Sequence, residues 1–177
     1  MMRFLSLVLV CAMAVVPASA RAAGAPGRLD DATIFAIYDQ ANMADILTGR
    51  LAAKYGASEE VRALGRMVAT DHVAVQQMGR DLARKLGVMP TPPDGDTSIL
   101  DYAKAVALLQ SKRGAEFDRE YLRYEVAFHQ GVIDAVKGTL LPAVSNPELR
   151  ALMTTVLPGF ERHLAATKAA AAKMVPK

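Results

Sequence analysis

The sequence predicts an all-α protein built from four long helices in two antiparallel hairpins. Three observations carry this reading. Apolar residues recur at three- and four-residue spacing over four long stretches, helix-breaking residues fall between those stretches, and the composition suits helices. Of 177 residues, 52% are hydrophobic, only 6% are aromatic and none is tryptophan.

The helix boundaries are punctuated by caps. Asp30 and Asp31 can cap a first helix that ends at Tyr55, with Gly56 just beyond it. Ser58 caps a second, with Glu59 and Glu60 in its first turn, which runs to Leu86 and stops at Gly87. Residues 88–96 contain Pro90, Pro92, Pro93 and Gly95 and must be a connector, followed by a short helix over about residues 97–110. A third long helix spans 114–141, with Pro142 marking its end. Asn146 and Pro147 form an N-cap and first-position pair for the fourth, which reaches about Lys173. Two tight turns make two hairpins, and the longer middle link can cross between them. That is the connectivity of a ferritin-like four-helix bundle with a short helix in the crossover; an up-down-up-down bundle is the alternative.

The N-terminus points to export. Arg3 precedes an apolar run from Phe4 to Val16, then Pro17 and the small-residue site Ala18-Ser19-Ala20, the pattern of a secretory signal peptide cut after Ala20. The run is shorter than the ~20 residues needed to span a bilayer. Residues 1–20 are therefore expected to be a signal peptide, 21–29 a flexible N-terminal segment and 30–174 the helical domain. The expected location is the periplasm, with peripheral association to the outer membrane left open and no transmembrane span after cleavage. Cys11, the only cysteine, lies in the signal and lacks the small preceding residue of a lipoprotein site, so the exported form has no thiol. Loss of Arg3 lowers the formal charge by one from +3, with no basic block to suggest nucleic-acid binding.

The helical seams place polar groups inside. Ile34, Tyr38, Ala41, Asp45, Thr48, Ala52 and Tyr55 share one face of the first helix, interrupted by Asp45. His72 sits in the inward seam of the second helix; Leu122, Glu125, His129, Val132, Val136 and Leu140 align in the third. The fourth aligns Leu149, Met153, Val156, Phe160, His163, Thr167 and Ala170. All three histidines of the chain thus fall at expected core positions, where a polar ring must find a partner. Counting from the turns, Asp45 and His72 differ in height by about 4–5 Å, and His129 and His163 by about 7–8 Å, a gap that Glu125 would nearly close. Imidazoles and carboxylates from facing helices are what a buried site for iron, zinc, copper or manganese requires.

Several stretches together carry a family resemblance. Asn42-Met43-Ala44-Asp45, Met67-Val68-Ala69-Thr70-Asp71-His72, Gly114-Ala115-Glu116-Phe117-Asp118-Arg119-Glu120-Tyr121, the downstream His129, and Leu157-Pro158-Gly159-Phe160-Glu161-Arg162-His163-Leu164 resemble the bacterial domain of unknown function 4142 family over residues 30–174. The resemblance implies an exported bacterial protein with a ferritin-like four-helix fold and no established reaction.

The residues argue against di-iron catalysis. That chemistry draws a Glu from each of two helices and Glu-x-x-His from each of the other two. Here Ala69, Val126 and Phe160 stand three residues before the histidines. A single-ion site of two or three histidines with Asp45 or Glu125 remains open, so His72, His129, His163, Asp45 and Glu125 are the candidate metal residues. Asp71, Asp118, Tyr121 and Tyr124 are candidate partners in a purely structural network. Two readings follow: a non-catalytic binding or envelope-associated module with a buried His/carboxylate network, or a transition-metal protein for storage, buffering or redox protection. Pro158 is expected to kink the fourth helix ahead of His163.

Overall fold

The structure is a computed structural model that describes residues 29–174; the expected signal peptide and residues 21–28 lie outside the described residues. The described residues are all-helical, with no strand among them. The elements are α1 (Asp31–Tyr55), α2 (Glu59–Leu86), α3 (Ser98–Ser111), α4 (Gly114–Ala135), a π-helical turn (Val136–Leu140), the short α5 (Leu141–Ala143) and α6 (Pro147–Lys173). No helix among the described residues is long and apolar enough to cross a membrane.

Caps form where side-chain chemistry places them. Asp30 accepts from Thr33 N at 2.8 Å, Ser58 from Val61 N at 3.2 Å, and Asn146 from Glu148 N at 2.8 Å and Leu149 N at 3.1 Å. Gly87 ends α2 in the left-handed region at φ 64°. Gly56 ends α1 differently, at φ −54°. It is required there by space, since a Cβ would lie 2.7 Å from the Ala52 carbonyl oxygen and 2.9 Å from Val61.

Two details depart from the sequence reading. The third long helix does not stop at Pro142: it widens into the π-helical turn, where Leu141 N–H donates to the Val136 carbonyl, and continues to Ala143. A wide turn relieves the clash that a proline ring makes with the carbonyl four residues back. Tyr55, expected on the inward face, is 50% exposed at the helix end. α6 runs continuously through Pro158.

α1 packs along α2 and α4 along α6, and the pairs meet through α2 with α6 and α1 with α4. The α1–α2 approach is close because small residues face each other. A Cβ on Gly65 would lie 2.5 Å from the Gly49 carbonyl oxygen and 2.7 Å from Ala53 N.

Each hairpin's turn is held by an aspartate from the start of the other hairpin. Asp118, early in α4, accepts from Ala57 N at 2.7 Å and Ser58 N at 2.8 Å in the α1–α2 turn. Asp31, at the start of α1, accepts from Ser145 N at 2.8 Å and Asn146 N at 2.9 Å ahead of α6. Residue 91 in the link bonds Ala32 O at 3.1 Å. The link 87–113 therefore leaves one end of the molecule, beside the start of α1, and delivers α4 to the other.

Apolar residues gather in two clusters. One holds Phe35, Tyr38, Ile133, Leu149 and Phe160; the other holds Ala52, Val61, Val68, Phe117 and Leu122. Between them in sequence, on α1, α2 and α4, lie Asp45, His72, Glu125 and His129. Burying this apolar surface supplies the main drive for folding.

The Asp118 carboxylate is fully buried, so its two bonds to main-chain N–H groups cannot be replaced by water. Asp118→Ala should cost about 2–4 kcal/mol in urea unfolding, and Asp31→Ala, at the half-buried opposite turn, about 1 kcal/mol. Equal small losses would show that Asp118 does not hold the turn.

Candidate metal centre

All five candidate residues lie in one buried cluster. Asp45, His72, Glu125, His129 and His163 are each 0–4% exposed. One ring nitrogen from each of His72, His129 and His163 lies within 4.8 Å of the other two, and Asp45, Glu125 and His129 form a second, overlapping group within the same limit. The ring centroids are 5.2 Å (His72–His163), 5.5 Å (His129–His163) and 5.6 Å (His72–His129) apart.

The outer nitrogen of each ring is committed to an oxygen acceptor. The Asn42 amide donates its NH₂ to Tyr38 O at 2.8 Å, which turns its carbonyl oxygen toward His72 Nδ1, 2.8 Å away. His72 Nδ1 therefore carries the hydrogen. His163 Nε2 bonds the Asp71 carboxylate at 2.9 Å. His129 Nδ1 bonds the Glu125 carbonyl at 3.2 Å, with the Glu125 carboxylate 3.1 Å from the same nitrogen. These contacts leave His72 Nε2, His163 Nδ1 and His129 Nε2 facing one another.

Asp45 closes the group from α1. Its Oδ2 is 3.3 Å from His72 Nε2 and 3.9 Å from His129 Nε2, while His72 Nε2 is 3.2 Å from His163 Nδ1. Donor atoms around a tetrahedral ion with ~2.0–2.1 Å bonds are about 3.3 Å apart. Among the buried atoms with no hydrogen-bond partner within the described residues are His129 Nε2 and Asp45 Oδ1. Orphaned buried polar atoms are costly, and native proteins hold few of them.

The electrostatics suit neutral rings at two corners. Burial, then the charges of His129 and His163, pushes His72 from 6.5 down to about 2. Burial also lowers His163, against the raising effect of its bond to Asp71. At His129 burial acts downward too, but the Glu125 bond and the Asp45 and Glu125 charges together raise it to about 9. Burial, reinforced by Glu125, raises Asp45 well above the ordinary carboxylate range.

Glu125 stands behind His129, where it also meets the Thr48 hydroxyl at 3.1 Å. Asp71 touches His163 from the surface, 54% of its side chain exposed, in keeping with a neighbour pointing away from the seam. Asp118, a candidate histidine partner in the sequence, caps a turn instead. The residue missed by sequence reasoning is Asn42, which borders the Ile34–Asp45 seam four residues after Tyr38 and three before Asp45 and is buried. Its signals were its i+4 spacing from Tyr38 and its place in the Asn42-Met43-Ala44-Asp45 run. Phe160 stacks on His72 with centroids 5.1 Å apart and planes 4° from parallel, fixing the ring.

Because the folded protein keeps His72 neutral, unfolded chains bind one more proton at this site below about pH 6.5, so its stabilising contribution is complete above that pH and fades on acidification toward pH 2. In metal-free protein the stability advantage of wild type over His72→Gln should shrink between pH 7.5 and pH 5 in urea titrations. A constant difference would contradict the neutral ring.

No curated protein and no solved structure matches the chain. A family model described as Domain of unknown function (DUF4142) matches residues 16–170. The motif runs read from the sequence, and the buried cluster that they build, thus sit inside that match: the chain belongs to the domain of unknown function 4142 family.

Proposed function

We propose that this protein is an exported, non-catalytic, ferritin-like helical bundle that holds one transition-metal ion between its four long helices. His72 Nε2, His129 Nε2, His163 Nδ1 and Asp45 are the ligands. The observation that carries the reading is the commitment of all three outer ring nitrogens to Asn42, Glu125 and Asp71, which leaves the inner nitrogens convergent. Metal-bound histidines characteristically give their second N–H to a carboxylate or carbonyl, and such partners tune affinity.

Three imidazoles and a carboxylate without thiolate suit zinc, copper or iron. Four protein ligands would leave no open position, the arrangement of a holding site rather than a catalytic one. The absence of Glu-x-x-His from every helix supports the same conclusion. Storage, buffering or protection from metal-driven redox chemistry is the role that follows. The bundle assignment is supported by the crossover link and by the pairing of α1 with α2 and α4 with α6. A periplasmic location, with peripheral envelope association left possible by the sequence, is supported by the N-terminal pattern.

Tag-free protein stripped with chelator and titrated with Zn(II) should bind one equivalent. His72→Ala and His163→Ala should each weaken binding at least 100-fold. Asn42→Ala and Asp71→Ala should weaken it roughly 10- to 100-fold through the partner effect while leaving stoichiometry unchanged. If Zn(II), Cu(II), Fe(II) and Mn(II) all fail to bind, the cluster is a structural network and the metal reading is wrong.

A further inference from the structure

A second site lies outside the polar layer. A cleft of about 420 Å³ opens between α1, α3 and α4, within the size range of small-molecule pockets. Its walls are mainly apolar and include Ile37, Met43 and Ala44 from α1, Ile99 from α3, and Phe128 and Val132 from α4. Ile99 is 61% exposed although it lines the cleft, so apolar surface there stays uncovered in the folded chain. Three aromatic rings contribute: Tyr102 from α3, and Tyr124 and Phe128, which stack at 5.5 Å with planes 22° apart.

The charge of the lining is one-sided. Asp96 and Asp101 line the cleft, and no lysine, arginine or histidine does so among the described residues. Asp101 is paired with Lys104 at 2.9 Å. Among the described residues Asp96 is met by neutral donors alone, Gln40 Nε2 at 2.7 Å, Ser98 N at 3.0 Å and Ser98 Oγ at 3.0 Å. Its negative charge therefore has no cationic partner among the described residues, and a cation in the cleft gains both from that charge and from the aromatic rings of the lining.

We propose that this cleft binds an organic cation, an amine carried on an apolar or aromatic body, with the body against Ile99 and Phe128 and the ammonium at Asp96. The cleft shares none of the proposed metal ligands.

Calorimetric titration of the purified protein with 1-naphthylmethylamine, 1-naphthylmethanol and 1-naphthylacetate separates the contributions of body and charge. The amine should bind saturably, at least tenfold more tightly than the carboxylate and more tightly than the alcohol. Asp96→Asn should bring the amine's affinity to that of the alcohol, a loss of roughly three- to tenfold. Tyr102→Leu, a change on exposed α3 whose folding is checked by helicity, should weaken the amine more than the alcohol. No saturable binding, equal affinity for amine and carboxylate, or an amine affinity unmoved by Asp96→Asn would each overturn the proposal. Preference for the neutral alcohol would show an apolar pocket without cation selectivity.

Discussion

The structure depends on a constraint that an apolar interior imposes on histidine. Three imidazoles buried between helices must satisfy six ring nitrogens, and only three find oxygen acceptors on their outer sides. The other three are turned toward each other and toward Asp45, too close together for all of them to carry protons. An arrangement of this kind is stable when something electron-poor occupies the centre. A proton shared with Asp45 can serve in part, and a metal ion serves for all four groups at once.

The rest of the molecule holds those rings at one level. α1 can present Asp45 to His72 because Gly49 and Gly65 let the two backbones approach closely. The hairpins are locked in register by reciprocal caps, Asp118 on the α1–α2 turn and Asp31 on the turn before α6. This exchange ties the heights of Asp45 and His72 to those of His129 and His163. The π-helical turn after α4 then fits Pro142 into the helix end without a break. Apolar clusters on both sides exclude water from the layer, which strengthens each polar contact inside it.

Much of this was legible in the residues. The caps at Asp30, Ser58 and Asn146, the stop at Gly87 and the proline-rich connector are local signals, and local physics decides them. The seams also revealed Asp45, His72, Glu125, His129 and His163 as buried, because a 3.6-residue period leaves little freedom about which face is covered. What the residues did not carry was tertiary. Nothing near Asp118 in the chain says that its carboxylate will reach a turn 60 residues earlier. Asn42 lies at the edge of the seam, and its role depends on the Tyr38 carbonyl that orients its amide. The π-helical turn before Pro142 likewise has no simple sequence signature.

The proposed site, with four protein donors, is suited to holding an ion tightly, and the partners at Asn42, Glu125 and Asp71 would set how basic each imidazole is. X-ray absorption at the zinc edge of the reconstituted protein tests this account most directly. It predicts a first shell of four nitrogen or oxygen atoms at ~2.0–2.1 Å with outer-shell scattering from three imidazoles. A six-oxygen shell without imidazole scattering would contradict it.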